Sequence, residues 1–213
     1  MDQHEETFNT WDKVSELYWQ KFMHLELYND TYDFFLNNLP SSAPTVLELG
    51  CGPGNITRYL LGSSPSLKID ATDVSPNMVK LAAENNPAAR CFVMDCREMS
   101  HIKKKYDGIV GGFILPYLSR NDVETLIANC YRLLRGEGML YLSFVEGEDA
   151  SSGFQTGSSG HRVYFYYHRL QNLHQLLNNN NFEIIGLFNK NFEAKKLPEF
   201  HTILIARKYS DKK

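Results

Sequence analysis

The sequence predicts an α/β protein, a mostly parallel sheet with helices on both faces, and three observations carry that prediction. From about residue 45 to 145, short apolar runs alternate with helical periodicities, the pattern of repeated strand–helix–strand units. The runs are continuously apolar rather than alternating, as strands covered on both faces require. Between the first run and the first helix of this stretch lies Gly50-Cys51-Gly52-Pro53-Gly54, where glycines let the backbone turn sharply and approach a ligand closely.

The elements follow in order. Residues 7–39 predict two amphipathic helices, with Trp11, Val14, Leu17, Tyr18 and Phe22 at helical spacing, then Leu27, Tyr28, Tyr32, Phe35 and Leu36. Leu39-Pro40-Ser41-Ser42 breaks the pattern. Strands are predicted at Val46–Leu49, Leu67–Ala71, Cys91–Met94, Gly108–Phe113 and Met139–Phe144, with helices near 54–61, 76–85 and 121–134. Gly136-Glu137-Gly138 reads as the turn into the fifth strand. Gly147–Gly160 is rich in Ser and Gly and predicts a mobile loop. After the aromatic run Val163–Tyr167 come a helix around 169–179 and strands at 182–188 and 201–207. The polar link between these strands is too short for a helical crossover, so they pair antiparallel.

Composition narrows the function. The chain has 213 residues, 43% hydrophobic and 22% charged, with a formal charge of −3, values of a single globular domain. No apolar run is long enough to span a bilayer, and the acidic N-terminus is unlike a signal peptide, so a cytoplasmic protein without membrane contact is expected. The charge offers no general grip on nucleic acid. The four Cys and seven His lack metal-site spacings, so no metal is expected. Aromatics are abundant, with 12 Tyr, 13 Phe and 2 Trp.

The glycine turn is not the dinucleotide fingerprint GxGxxG, which would need glycine where Asn55 stands. Its pattern is Glu48-x-Gly50-x-Gly52-x-Gly54. In this the sequence resembles the class I S-adenosylmethionine-dependent methyltransferases, whose first motif is E/D-x-G-x-G-x-G. The likeness runs from about 45 to 145 and more loosely to both ends. It implies a Rossmann-like, doubly wound, mostly parallel seven-stranded sheet with an antiparallel C-terminal strand and an N-terminal helical cap. The single domain 1–213 divides into the cap (1–40), a cofactor-binding core (41–145) and a substrate-side loop with the C-terminal strands (146–213).

The resemblance also implies S-adenosylmethionine as cofactor, with S-adenosylhomocysteine as product. It assigns the cofactor's methionine portion to Glu48, Gly50, Cys51, Gly52 and Gly54. Asp73, nineteen residues after Gly54, would accept hydrogen bonds from both ribose hydroxyls, or else cap the helix that starts near Ser75. Asp95 and Cys96 would meet the adenine, with Val74 and Met78 packing on it or in the core. Gly112 would permit close approach at the methyl end and Phe113 would wall it.

Methyl transfer is an in-line displacement and needs alignment more than a triad. Base candidates come from the cap and the C-terminal third: His161, His168, Tyr18 and Tyr167, with His201 opening the last strand. The aromatics at 11–35 and 163–167 suggest a substrate chamber. The expected activity is methyl transfer to a small-molecule acceptor by a monomer or homodimer. A regulatory S-adenosylmethionine binder and a protein or nucleic-acid methyltransferase stay open as alternatives.

Overall fold

The computed structural model describes residues 2–157, 160–192 and 199–209. Three helices open the chain: α1 (Gln3–Lys13), α2 (Ser15–Phe22) and α3 (Asn29–Asn37). The alternating core follows as β1 (Thr45–Leu49), α4 (Asn55–Ser63), β2 (Lys68–Asp73), α5 (Pro76–Asn85), β3 (Arg90–Val93), β4 (Tyr106–Gly111), α6 (Arg120–Leu133) and β5 (Leu134–Val145). A hairpin, β6 (Gly153–Thr156) with β7 (Arg162–Phe165), precedes α7 (Leu170–Asn179), β8 (Phe182–Phe192) and β9 (Glu199–Lys208).

The seven-stranded sheet has the order β3-β2-β1-β4-β5-β9-β8. Pairing is parallel from β3 to β5, and β9 runs antiparallel to both neighbours. This is the mostly parallel sheet with an antiparallel C-terminal strand that the sequence predicts. One face is packed with Leu47, Leu49, Ile109, Leu126, Ile127, Leu140 and Leu177. The other carries Val46, Ile56, Leu60, Ala82, Tyr32, Phe35 and Tyr141. Adjacent residues of β1 therefore serve opposite cores, which explains its unbroken apolar run.

Two expectations are corrected. The cap has three helices rather than two, because the backbone leaves helical geometry at Val14 (φ −99°, ψ 12°) without a glycine or proline to mark the break. Within the stretch predicted as a loop, 153–156 pairs in register with 162–165. The hairpin is fastened to α1: the Tyr164 N–H donates to Thr7 Oγ1, Thr10 Oγ1 donates to the Arg162 carbonyl, and Arg162 pairs with Glu6. Ser158 and Ser159 of that stretch lie outside the described residues. The turn before the fifth strand becomes an irregularity inside β5, with Glu137 at φ +61° between the Leu134 and Met139 pairings.

The sheet's connectivity locates the site. From β1 the chain steps outward to β2 and β3, then returns to β4 on β1's other side. That reversal opens a crevice at the carboxyl ends of β1 and β4, the place where open α/β sheets bind ligands. Among the described residues no helix is long and apolar enough to cross a membrane.

Candidate active site

The loop after β1 floors the crevice. Gly50, Gly52 and Gly54 adopt φ of +64°, +53° and +86°, the left-handed region that glycine enters without a Cβ penalty. Gly54 is the N-cap of α4 and packs on α5: a Cβ there would lie 2.2 Å from Asn86 Nδ2 and 3.2 Å from the Ala82 Cα. Gly54→Ala is therefore expected to destabilise the fold by about 2–3 kcal/mol, measured by urea unfolding; a loss below 1 kcal/mol would show that α4 and α5 can part freely.

The cleft above this loop holds about 800 Å³ of empty space, part of it open to solvent. Of the residues assigned to the cofactor by resemblance, Gly50, Gly52, Asp73, Val74, Met78, Asp95, Cys96, Gly112 and Phe113 all line it. They arrive from four strand ends, those of β1 to β4, and the start of α5.

Asp73 closes β2. Its Oδ2 accepts from the Gly52 N–H and its Oδ1 from the Ser75 N–H, both at 2.9 Å. Burial pushes its carboxyl above the usual aspartate range, and the backbone N–H groups of Ser75, Gly52 and Val74 oppose that rise. The cap of α5 is Ser75 itself, whose hydroxyl accepts from the Met78 N–H. Asp73 is thus a strut for the glycine loop, with lone pairs left for a ligand. Asp95 forks with Arg97 (Nη2–Oδ2 2.6 Å, Nε–Oδ2 2.9 Å), and the Arg97 guanidinium lies 5.1 Å from the Phe8 ring.

Glu48, Cys51 and Gly54 do not line the cleft. Glu48 is fully buried on the sheet face that carries α4, where Oε2 accepts from Thr57 Oγ1 at 2.5 Å and Oε1 has no partner among the described residues. Burial pushes its pKa up to about 8. The Cys51 N–H ties the loop to the Thr72 carbonyl at 2.8 Å. These three shape the loop from behind.

The base candidates divide. Tyr18 lines the cleft, its ring edge 3.7 Å from where a Cβ on Gly52 would sit. Burial, then the Asp73 charge, pushes its pKa up to about 12, so the phenol keeps its proton and acts as a donor at neutral pH. His168 is buried away from the cleft: its Nε2 bonds the Leu115 carbonyl at 2.9 Å, and burial lowers its pKa. His161 is exposed on the hairpin. The Tyr167 hydroxyl accepts from Gln155 Nε2, and its ring packs over Gly147. None of these last three lines the cleft.

Sequence reasoning assigned no cofactor role to Phe8, Trp11, Met94, Ile114, Tyr117 or Leu118, which complete the lining. Phe8 and Trp11 share a face of α1 by i, i+3 spacing. Trp11 meets Tyr18 and Tyr117 edge-on, each at 5.5 Å. The next residue, Asp12, holds α1 over the start of α5 by accepting from Ser75 Oγ (2.6 Å), the Asn77 N–H (3.0 Å) and Asn77 Nδ2 (2.9 Å).

Residues 46–138 match the methyltransferase domain family. A malonyl-[acyl-carrier protein] O-methyltransferase of Priestia megaterium is 30% identical over 63% of this chain and 46% of its own length. The tRNA N(3)-methylcytidine methyltransferase Mettl2 of Drosophila melanogaster is 29% identical over 57% of this chain and 44% of its own. The chain thus spans less than half the length of these relatives. The crystal structure of magnesium protoporphyrin IX methyltransferase from Synechocystis PCC 6803 with bound SAH superposes at a TM-score of 0.71, covering 97% of this chain and all of that one at 16% identity. At that identity the likeness speaks for the fold. Residues 46–138 thus match a methyltransferase domain in sequence, and the chain as a whole shares the fold of that methyltransferase structure.

Proposed function

We propose that this chain binds S-adenosylmethionine in the cleft and transfers its methyl group to a small-molecule acceptor. The observation that carries the reading is the convergence of Gly50, Gly52, Asp73, Asp95 and Phe113 on one crevice at the sheet's reversal point. The donor set suits the cofactor. Asp73 offers a carboxylate beside the glycine turn for the sugar hydroxyls, while Val74, Met78, Met94 and Leu118 offer apolar surface for a base.

When bound, the cofactor supplies an electrophilic methyl on its sulfonium. The chain's own contribution is alignment and exclusion of water. Gly50 and Gly52 let the main chain approach, Asp73 orients the sugar, and Asp95 with Cys96 frames the adenine. The α1–α2 cap lays Trp11 and Tyr18 over the cleft and limits solvent entry. Phe113 stands at the end of β4, beside Gly112, as the wall of the reacting end.

A small acceptor fits an aromatic-lined cleft on a chain of net charge −3, and one relative is a malonyl-[acyl-carrier protein] O-methyltransferase. The tRNA-modifying relative makes RNA the alternative to test. Calorimetry should give dissociation constants between about 1 μM and 1 mM for S-adenosylmethionine and S-adenosylhomocysteine, and no heat with NAD. Tritiated-methyl transfer is then read against a metabolite library and against total tRNA. Label in the tRNA arm alone would overturn the small-molecule assignment, and absence of cofactor binding would overturn the whole reading.

A further inference from the structure

At the reacting end of the cleft lies a buried side-chain chain that the preceding account does not use. His201, at the start of β9, is 6% exposed. Its Nδ1 meets the Tyr28 hydroxyl at 2.5 Å and its Nε2 meets Glu199 Oε1 at 2.9 Å. A carboxylate only accepts, so Nε2 carries a ring proton, and in the tautomer with that proton alone Nδ1 accepts from the phenol. Burial raises the Tyr28 pKa far above the usual tyrosine value, which keeps that phenol a donor.

The same imidazole is packed by aromatic rings. Phe113 stands edge-on to it at 4.6 Å and Phe192 stacks on it at 5.1 Å, while Tyr28 lies 5.5 Å from Phe113. Phe113 adopts φ +55°, a conformation that L residues with a Cβ keep only when their surroundings hold them there. Its restraints are the Ser143 hydroxyl, which accepts the Phe113 N–H at 2.9 Å, and the Tyr28 and His201 rings. Tyr28 belongs to the cap, just ahead of α3, whereas Phe113 belongs to the cleft wall.

We propose that His201 is a positioning residue for methyl transfer: by its hydrogen bond to Tyr28, whose ring packs on Phe113, it locks the cap and the wall of the reacting end into one unit. The proposal rests on the methyltransferase reading. A phenylalanine at 201 would keep the ring packing and lose both hydrogen bonds, leaving Tyr28 free to shift and Phe113 free to relax. The Asp73–Gly52 end of the cleft would be untouched, so the loss should fall on turnover rather than on cofactor affinity.

The test compares His201→Phe, His201→Asn and Tyr28→Phe by three readouts. These are hydrogen exchange of the segment around Phe113, calorimetry with S-adenosylhomocysteine, and tritiated-methyl transfer from S-adenosylmethionine into a deproteinised small-molecule extract. His201→Phe and Tyr28→Phe should speed exchange at Phe113 at least tenfold and slow transfer at least tenfold, with S-adenosylhomocysteine affinity within twofold of wild type. His201→Asn offers an amide oxygen near the Nδ1 position without a titrating proton, and should recover exchange and transfer to within about threefold. Wild-type exchange and transfer in His201→Phe would overturn the proposal. So would a His201→Asn variant as impaired as His201→Phe, since the imidazole would then be needed for its proton chemistry. Should His201→Phe fail to fold, Tyr28→Phe and His201→Asn decide it on the same readouts. Failure of the wild-type chain to bind S-adenosylhomocysteine would count against the functional reading instead, while the exchange comparison still tests the clamp.

Discussion

Replacing Asp73 by alanine is expected to weaken S-adenosylhomocysteine binding about 100-fold, and by no less than tenfold, while leaving the chain folded. The carboxylate holds the floor of the cleft, because its Oδ2 accepts the Gly52 N–H. It also lines the cleft, where its two oxygens can accept further hydrogen bonds beside those from the Gly52 and Ser75 N–H groups. Charge-assisted hydrogen bonds contribute roughly 1.5–3 kcal/mol each, so losing two ligand bonds, partly offset by water, corresponds to about 2.7 kcal/mol. Global stability should change little, because burial already disfavours this charge and the deletion removes that cost along with the bonds. Asp73→Asn, which keeps one oxygen for Gly52, should fall between wild type and Asp73→Ala. Calorimetry and thermal unfolding on the same samples separate the effects. Unchanged affinity would reduce Asp73 to a strut for the glycine loop.

The parts of this molecule that were legible in the sequence are those whose determinants are local. Each strand from β1 to β5 is a short stretch built around apolar residues, and the turn after β1 is written in three glycines. Asp73 and Asp95 could be placed because each ends such a run. The cap was harder. Trp11, Val14, Tyr18 and Phe22 keep their periodicity straight through the break between α1 and α2, so the pattern cannot register a change of direction at Val14. The hairpin of β6 and β7 was hidden because the Ser/Gly-rich segment around β6 has a weak intrinsic strand preference. It is fixed instead by Thr7, Thr10 and Glu6 from a helix about 150 residues earlier. The same distance in sequence separates Tyr28 from His201, and no local pattern joins them. His168 looked like a base by its neighbours in sequence, and only the fold shows its imidazole spent on the Leu115 carbonyl.

Glu48→Gln is expected to make the protein more stable than wild type in alkaline solution and nearly equal to it in acid. Glu48 is fully buried, takes one hydrogen bond from Thr57 and leaves Oε1 without a partner among the described residues. Burial is the main cause of its raised pKa of about 8; the Thr57 bond opposes it and the Asp73 charge adds to it. In the unfolded chain the group titrates near the ordinary glutamate value, about 4.3. Between those two values the folded state holds a proton that the unfolded state has released, so stability falls as pH rises through this window and levels off above it. At about 1.4 kcal/mol for each pKa unit, the loss is on the order of 5 kcal/mol by pH 9. Glutamine keeps the shape and an oxygen for Thr57 but cannot ionise, so its stability curve lacks this fall. Urea unfolding at pH 5 and pH 9 reads the difference directly. A gap between the two proteins that does not widen with pH would mean that Glu48 is charged in the folded state, and that a cation or water reaches the buried floor beneath the glycine turn.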